Sequence, residues 1–237
     1  MRNLLAVYNK EMKSYFNSPM AYIFLVIFAI ITGYFFTRTF FLFNQSDMRS
    51  LFNIIPLVYL FFIPAVTMSL IAREKSLGTM EVISTLPLKE FDFVAGKFLA
   101  SLSLVLIALA ISLVHFFTLI QVGTNIDYGA AFTGYLGLAL AGGVYCAVGT
   151  FASGLTDNQV IAFIIGIFIV LVFFLMDKML MFVPISLSGL VQFLSVDYHL
   201  SSISRGVIDS RNIIYFASVI GLFLFMTVRV LEIRRWK

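Results

Sequence analysis

Ser112 and His115 stand three residues apart, so a helix would carry a hydroxyl and an imidazole on adjoining turns. A serine hydrolase needs such groups within reach of each other. Neither residue lies in a nucleophile motif, and both fall inside a long apolar run. There a packed, hydrogen-bonded histidine is the simpler reading, and an intramembrane hydrolase is a minor alternative. The sequence has no G-x-x-x-x-G-K-[ST] phosphate loop and no H-E-x-x-H zinc pair. Cys146 is the lone cysteine, and there are two histidines. The expectation is no catalytic residue, no metal and no cofactor in this chain. The 12 acidic residues fall in or beside polar connections. A proton-coupled carrier or a charged-ring channel would place such residues at mid-membrane depth.

The side chains suited to binding a partner lie in three segments. In residues 2–17, Leu4, Leu5, Tyr8, Met12, Tyr15 and Phe16 recur near helical spacing, with Asn9, Lys10 and Lys13 as the polar positions. That pattern predicts an amphipathic helix over 1–18 lying in a membrane interface. Ser18-Pro19 then reads as a cap followed by proline at the first position of the next helix. The second segment, Arg73–Lys97, has charges too dense for a bilayer. Gly78-Thr79 can begin a helical turn there, with Glu81 favoured in its first turn by the helix dipole. Val82, Ile83 and Leu86 supply an apolar face, Pro87 ends it, and Lys89–Lys97 lead back to the membrane. The third segment, about 177–212, contains an apolar stretch from Phe182 to Leu194, interrupted by Pro184 and Gly189. Its length suits re-entrant or interfacial helices on the outer side. Asp197, Tyr198, His199, Arg205, Asp209 and Arg211 would form a polar outer edge.

The elements that position these segments follow from composition. The chain is 61% hydrophobic and 12% charged, with a mean hydropathy of +1.01. Soluble domains are about 25% charged, so these values exclude a soluble globular domain and a disordered chain. Apolar runs at about 19–43, 51–72, 98–120, 131–152, 160–176 and 213–228 predict six transmembrane helices in one domain over 1–237. Helix is the form that satisfies every backbone group in lipid. About eighteen polar and amphipathic residues precede the first run, unlike a cleavable signal peptide. With these spans, 11 of the 16 basic residues fall on the side that holds both termini, which predicts that side to be cytoplasmic. The net charge of +4 then belongs to basic ends at a lipid surface, not to nucleic-acid binding. Gly134, Gly137, Ala141 and Gly142 place small residues along the fourth span, which favours close helix packing.

Taken in order along the chain, these motifs resemble the permease subunit of type-2 ABC exporters (the ABC-2 family). The similarity is greatest to the branch of the gliding-motility and nitrous-oxide-reductase-maturation type. It rests on Lys10-Glu11 with Tyr15-Phe16, Ser18-Pro19 and Ala21-Tyr22, then on Ile63-Pro64-Ala65-Val66-Thr67-Met68. Glu74-Lys75, Gly78-Thr79-Met80-Glu81 and Pro87 resemble the family's coupling segment. Leu155-Thr156-Asp157-Asn158-Gln159 resembles its fourth–fifth loop, and His199 with Arg205-Gly206-Val207-Ile208-Asp209 its outer segment. The resemblance implies an inner-membrane permease that pairs with a second copy or a homologous permease. It also implies a separate ATP-hydrolysing subunit, which carries the ATP and Mg and docks on a coupling helix formed by Glu74, Gly78, Thr79, Glu81 and Pro87. Lys10, Glu11, Lys13, Tyr15 and Phe16 would belong to the interfacial helix, and His199, Arg205 and Asp209 to the outer segment. The alternative is a membrane subunit that passes ATP-driven force to a periplasmic partner without moving substrate.

Overall fold

The structure is a computed structural model that describes residues 2–42, 47–81, 88–124 and 126–235. Every regular element among the described residues is helical. α1 (Arg2–Asn17) precedes α2 (Pro19–Thr37), which continues into a π-helical turn at Arg38–Leu42. α3 (Arg49–Thr67) and α4 (Ser69–Ser76) follow nearly end to end. Then come α5 (Glu90–Val122), α6 (Tyr128–Leu155) and α7 (Gln159–Leu175). A 3-10 turn at Leu180–Phe182 leads to α8 (Ile185–Leu194), α9 (Val196–Ile203) and α10 (Ser210–Arg235).

Among the described residues, five stretches are long and apolar enough to cross a membrane: Pro19–Phe41, Arg49–Ser76, Glu90–Val122, Tyr128–Leu155 and Ser210–Ile233. The segment expected as the fifth of six spans is α7, with 17 residues. At 1.5 Å per residue it measures about 25 Å, short of a hydrocarbon core about 30 Å thick.

The bundle is built around α6. In its most apolar window 83% of residues are buried, against 22–33% for α2, α5 and α10. Its small residues are the reason. A Cβ on Gly134 would collide with the Phe52 ring, and one on Gly149 with Thr67, both on α3. Gly142 receives Val105 of α5, and Gly137 receives Leu200 and Ile203 of α9. These contacts fix direction. Phe52 and Thr67 meet α6 in ascending order, so α3 and α6 run parallel. Gly143 faces Ile220 and Gly154 faces Thr227, so α10 also runs parallel to α6. Tyr135 meets Ser112 while Gly142 meets Val105, so α5 runs the other way. Residues 156–209 therefore return the chain to the end where α6 begins. That end, near Gly134 and Leu200, is termed the head, and the end near Gly149 and Lys97 the foot.

Several boundaries differ from those read in the sequence. α5 begins at Glu90 rather than near 98, so Lys97 lies two turns inside a helix and not in a loop. Glu90 and Asp92 in its first turn oppose the positive end of the helix dipole, which favours the earlier start. Ser18 does occupy the N-cap of α2, with Pro19 following it, but its hydroxyl makes no capping bond and donates instead to Tyr15 O at 3.1 Å, at the end of α1. Gly189 does not interrupt α8, although Pro184 does precede it.

Candidate functional site

Four charged side chains from three elements meet at the foot. α1 reaches them because α5 has a glycine where the two helices cross. A Cβ on Gly96 would lie 2.9 Å from Val7 Cβ and 3.0 Å from Leu4 O. The adjacent Lys97 is fully buried, at 0% exposure. Its ammonium donates to Glu11 Oε1 of α1 at 2.7 Å and to the Leu70 carbonyl. It also stands 3.0 Å from Glu74 Oε2 of α4 as an ion pair, off hydrogen-bond alignment. Lys10 of α1 donates to Glu74 Oε1 and lies 3.7 Å from Glu11. The Phe93 ring sits one turn before Lys97, with Nζ 4.8 Å from its centroid.

Two lysines and two glutamates make this cluster neutral. Neutrality matters because an unpaired charge taken out of water costs several kcal/mol, roughly. Removing one member of such a pair therefore costs about 3–5 kcal/mol. Lys10 sits at the wet edge of the cluster. Burial of its stem acts to lower its pKa, but the hydrogen bond and charge of Glu74, with Glu11 beyond, outweigh this and raise it. Tyr15 is buried, and burial followed by the nearby Glu11 charge pushes its phenol well above the usual range. It stays a donor, to Val66 O at 3.2 Å.

The junction of α3 and α4 explains why polar side chains collect here. The helix loses its regular backbone bonds near Met68, and side chains replace them. Ser153 of α6 accepts from Ile71 N at 2.9 Å and Ala72 N at 3.0 Å, and donates to Met68 O at 2.8 Å. Thr67 bonds back to Ile63 O at 2.8 Å, and Lys97 takes the Leu70 carbonyl. Lys75, also buried, donates to Gly154 O at the end of α6. Insertion of side chains into a helix ladder is a recognised cause of such irregularities.

From Glu74 the chain runs directly to the protein surface. Gly78 adopts φ +68°, the left-handed conformation that ends helices and suits glycine. The Thr79 hydroxyl donates to Glu74 O at 3.1 Å, and helix resumes over residues 79–81. Gly78, Thr79 and Glu81 are exposed, whereas Glu74 is buried. Glu74 is a structural ion-pair partner, and Gly78, Thr79 and Glu81 form an outer surface. Pro87, with Val82, Ile83 and Leu86, lies outside the described residues. In α1, Lys13 is exposed, and Phe16 is half-buried with its ring edge-on to Tyr22 at 5.9 Å.

The outer candidates separate in the same way. His199 is not on a polar edge; it is buried, with its ring stacked on Tyr215 at 3.9 Å. Its Nε2 lies 2.8 Å from Phe193 O and its Nδ1 2.7 Å from the Asn212 amide oxygen, which ties α8, α9 and α10 together. The physical reason is that α9 turns this face onto α6 and α10, as Leu200 and Ile203 meet Gly137. Arg205 is exposed, and Asp209 accepts from Arg211 N at 2.8 Å at the start of α10. Ser112 and His115 have different partners. Ser112 donates to Leu109 O at 2.7 Å, while His115 stacks on Phe36 at 5.0 Å and lies 3.4 Å from Thr32 of α2. Among the described residues no group of three or more His, Cys, Asp or Glu is placed to hold a metal.

Sequence reasoning passed over Lys97, Ser153 and Lys75 as site residues. A signal for Lys97 does exist: Phe93, Gly96 and Lys97 share one helical face if α5 starts at Glu90. No curated protein matches the sequence. The model of the ABC-2 family transporter proteins matches residues 37–228, a stretch that takes in α3–α9, Glu74 and Lys97, and the chain belongs to that family.

Proposed function

We propose that this chain is the permease subunit of an ABC exporter in a bacterial cytoplasmic membrane. Its foot faces the cytoplasm and docks a separate ATP-hydrolysing subunit. The family supplies the permease role and the ATP-binding partner. One observation carries the docking site: the exposed turn Gly78–Glu81 is continuous with Glu74, which is anchored in the buried charge cluster. A motion imposed on that turn would reach α1 and α5 without passing through a flexible connection.

In this reading the coupling segment is the one from Glu74 to Pro87, with Glu81 as the polar contact to the ATPase. ATP and Mg bind on the partner. Six crossings fit the bundle, because α6 and α10 run parallel and residues 156–209 must return the chain between them. α7 supplies that crossing at about 25 Å, aided by the turn residues that follow it. Both termini then share the cytoplasmic side, α1 lies in the interface, and α8 and α9 form the outer re-entrant cap. Two permeases, identical or homologous, would enclose the pathway between them.

The test is purification of the tagged protein from its native membranes in mild detergent, with the stoichiometry of what accompanies it. An ATPase in fixed ratio to the permease supports the assignment. Solitary recovery in several detergents overturns it. An additional periplasmic protein would favour force transmission to an external machine.

A further inference from the structure

Lys97 is the most enclosed charge at the foot and touches two other elements, α1 and α4. Its ammonium meets Glu11 of α1 at 2.7 Å, Glu74 of α4 at 3.0 Å and the Leu70 carbonyl in the first turn of α4. The packing around it is equally close, since Gly96 admits α1 at van der Waals contact. α1 has a second tie to the same helix through Tyr8, whose hydroxyl donates to Ser103 Oγ at 3.1 Å. A lone structural lysine would need one counter-charge. This one joins a carboxylate from the N-terminal helix to a carboxylate from the segment that leads into the Gly78 turn.

We propose that Lys97 is a positioning residue that clamps α1, α4 and the foot of α5 into one rigid body, so that a pull on the Gly78–Glu81 turn moves all three together. The proposal rests on the permease reading above. Without the clamp, the turn would move while α1 and α5 stayed behind, and ATP hydrolysis would no longer be tied to movement of the membrane helices.

The test uses the full-length chain with its co-purified ATPase in lipid nanodiscs. Ser14 and Ser76 are exposed positions on α1 and α4. Spin labels at Ser14→Cys and Ser76→Cys, in a Cys146→Ala background, report the distance between those helices. With Lys97 intact the distance is narrow and the same with and without a non-hydrolysable ATP analogue. In Lys97→Met it broadens and shifts on nucleotide addition. The kcat for ATP falls about tenfold, the scale of a typical coupling between sites, while the KM for ATP stays constant. Lys97→Met leaves the two buried carboxylates with Lys10 alone as counter-charge. The double variant Glu11→Gln/Lys97→Met relieves that and keeps the test open if the single one fails to fold; it shows the same losses. An unchanged distance with kcat within about twofold of wild type, well below that coupling scale, overturns the clamp. Absence of any ATPase from the wild-type preparation would overturn the permease reading instead. The nucleotide-free distances would then decide the clamp, a narrow distribution in Lys97→Met overturning it.

Discussion

At the scale of single residues, polar groups at both ends of the bundle are held by partners distant in sequence. Glu11 and Lys97 are 86 positions apart yet share a 2.7 Å hydrogen bond. Lys10 shows what this implies for pH. Its pKa is raised in the folded state relative to a normal value of 10.5. Its contribution to stability is therefore complete below that normal value and is lost as pH rises through the folded one. The melting temperature of wild type should exceed that of Lys10→Met at neutral pH, and the gap should close only in strongly alkaline buffer. At the head, a neutral His199 donates from Nε2 to Phe193 O, and its bare Nδ1 is satisfied once the Asn212 amide is turned to present its otherwise unpartnered Nδ2. His199→Ala removes a partner from that carbonyl and from Asn212. A loss of about 1–3 kcal/mol is expected, visible as a lower melting temperature together with faster proteolysis of the 176–209 segment.

At the scale of elements, close approach decides which helices meet. The crossing of α1 over α5 depends on Gly96, where any side chain would run into Val7 and the Leu4 carbonyl. Gly96→Leu should lever α1 off the bundle while α5 still inserts. Hydrogen exchange should then rise across residues 2–17, with little change in α6; equal protection in both proteins would mean that α1 is held by lipid rather than by α5. The same logic governs the middle of the bundle. Phe52 and Thr67 of α3 occupy the spaces above Gly134 and Gly149, so the centre of the bundle is set by residues with no chemistry of their own.

At the scale of the whole molecule, the question is how a soluble motor would take hold of this bundle. The surface from Gly78 to Glu81 is exposed and leaves Glu74 anchored beneath it. Glu81→Arg reverses the charge on that surface without touching the buried cluster. It should abolish stimulation of the partner's ATP hydrolysis, or release the partner on a sizing column, while the permease keeps its melting temperature. Stimulation equal to wild type would remove Glu81 from the docking surface.

Much of this architecture is legible in the sequence because it depends on local chemistry. Long apolar runs must become helices in lipid, where no other form satisfies the backbone. Gly78 marks a helix end because a glycine accepts the left-handed turn. The approximate positions of the long apolar helices follow from such rules. The length of α7 already stands in the sequence, but its path through the bundle does not. Lys97 shows where local rules stop. A lysine beside a run of charges looks like the edge of a loop, and only the approach of Glu11 and Glu74 makes its burial tolerable. His199 looks like a surface group for the same reason, since Asn212, Phe193 and Tyr215 reach it only after three helices have folded together. Sequence alone determined which segments are apolar and where helices can end. Tertiary structure decided which charges are buried, because a buried charge is stable only when its partners arrive from elsewhere in the chain.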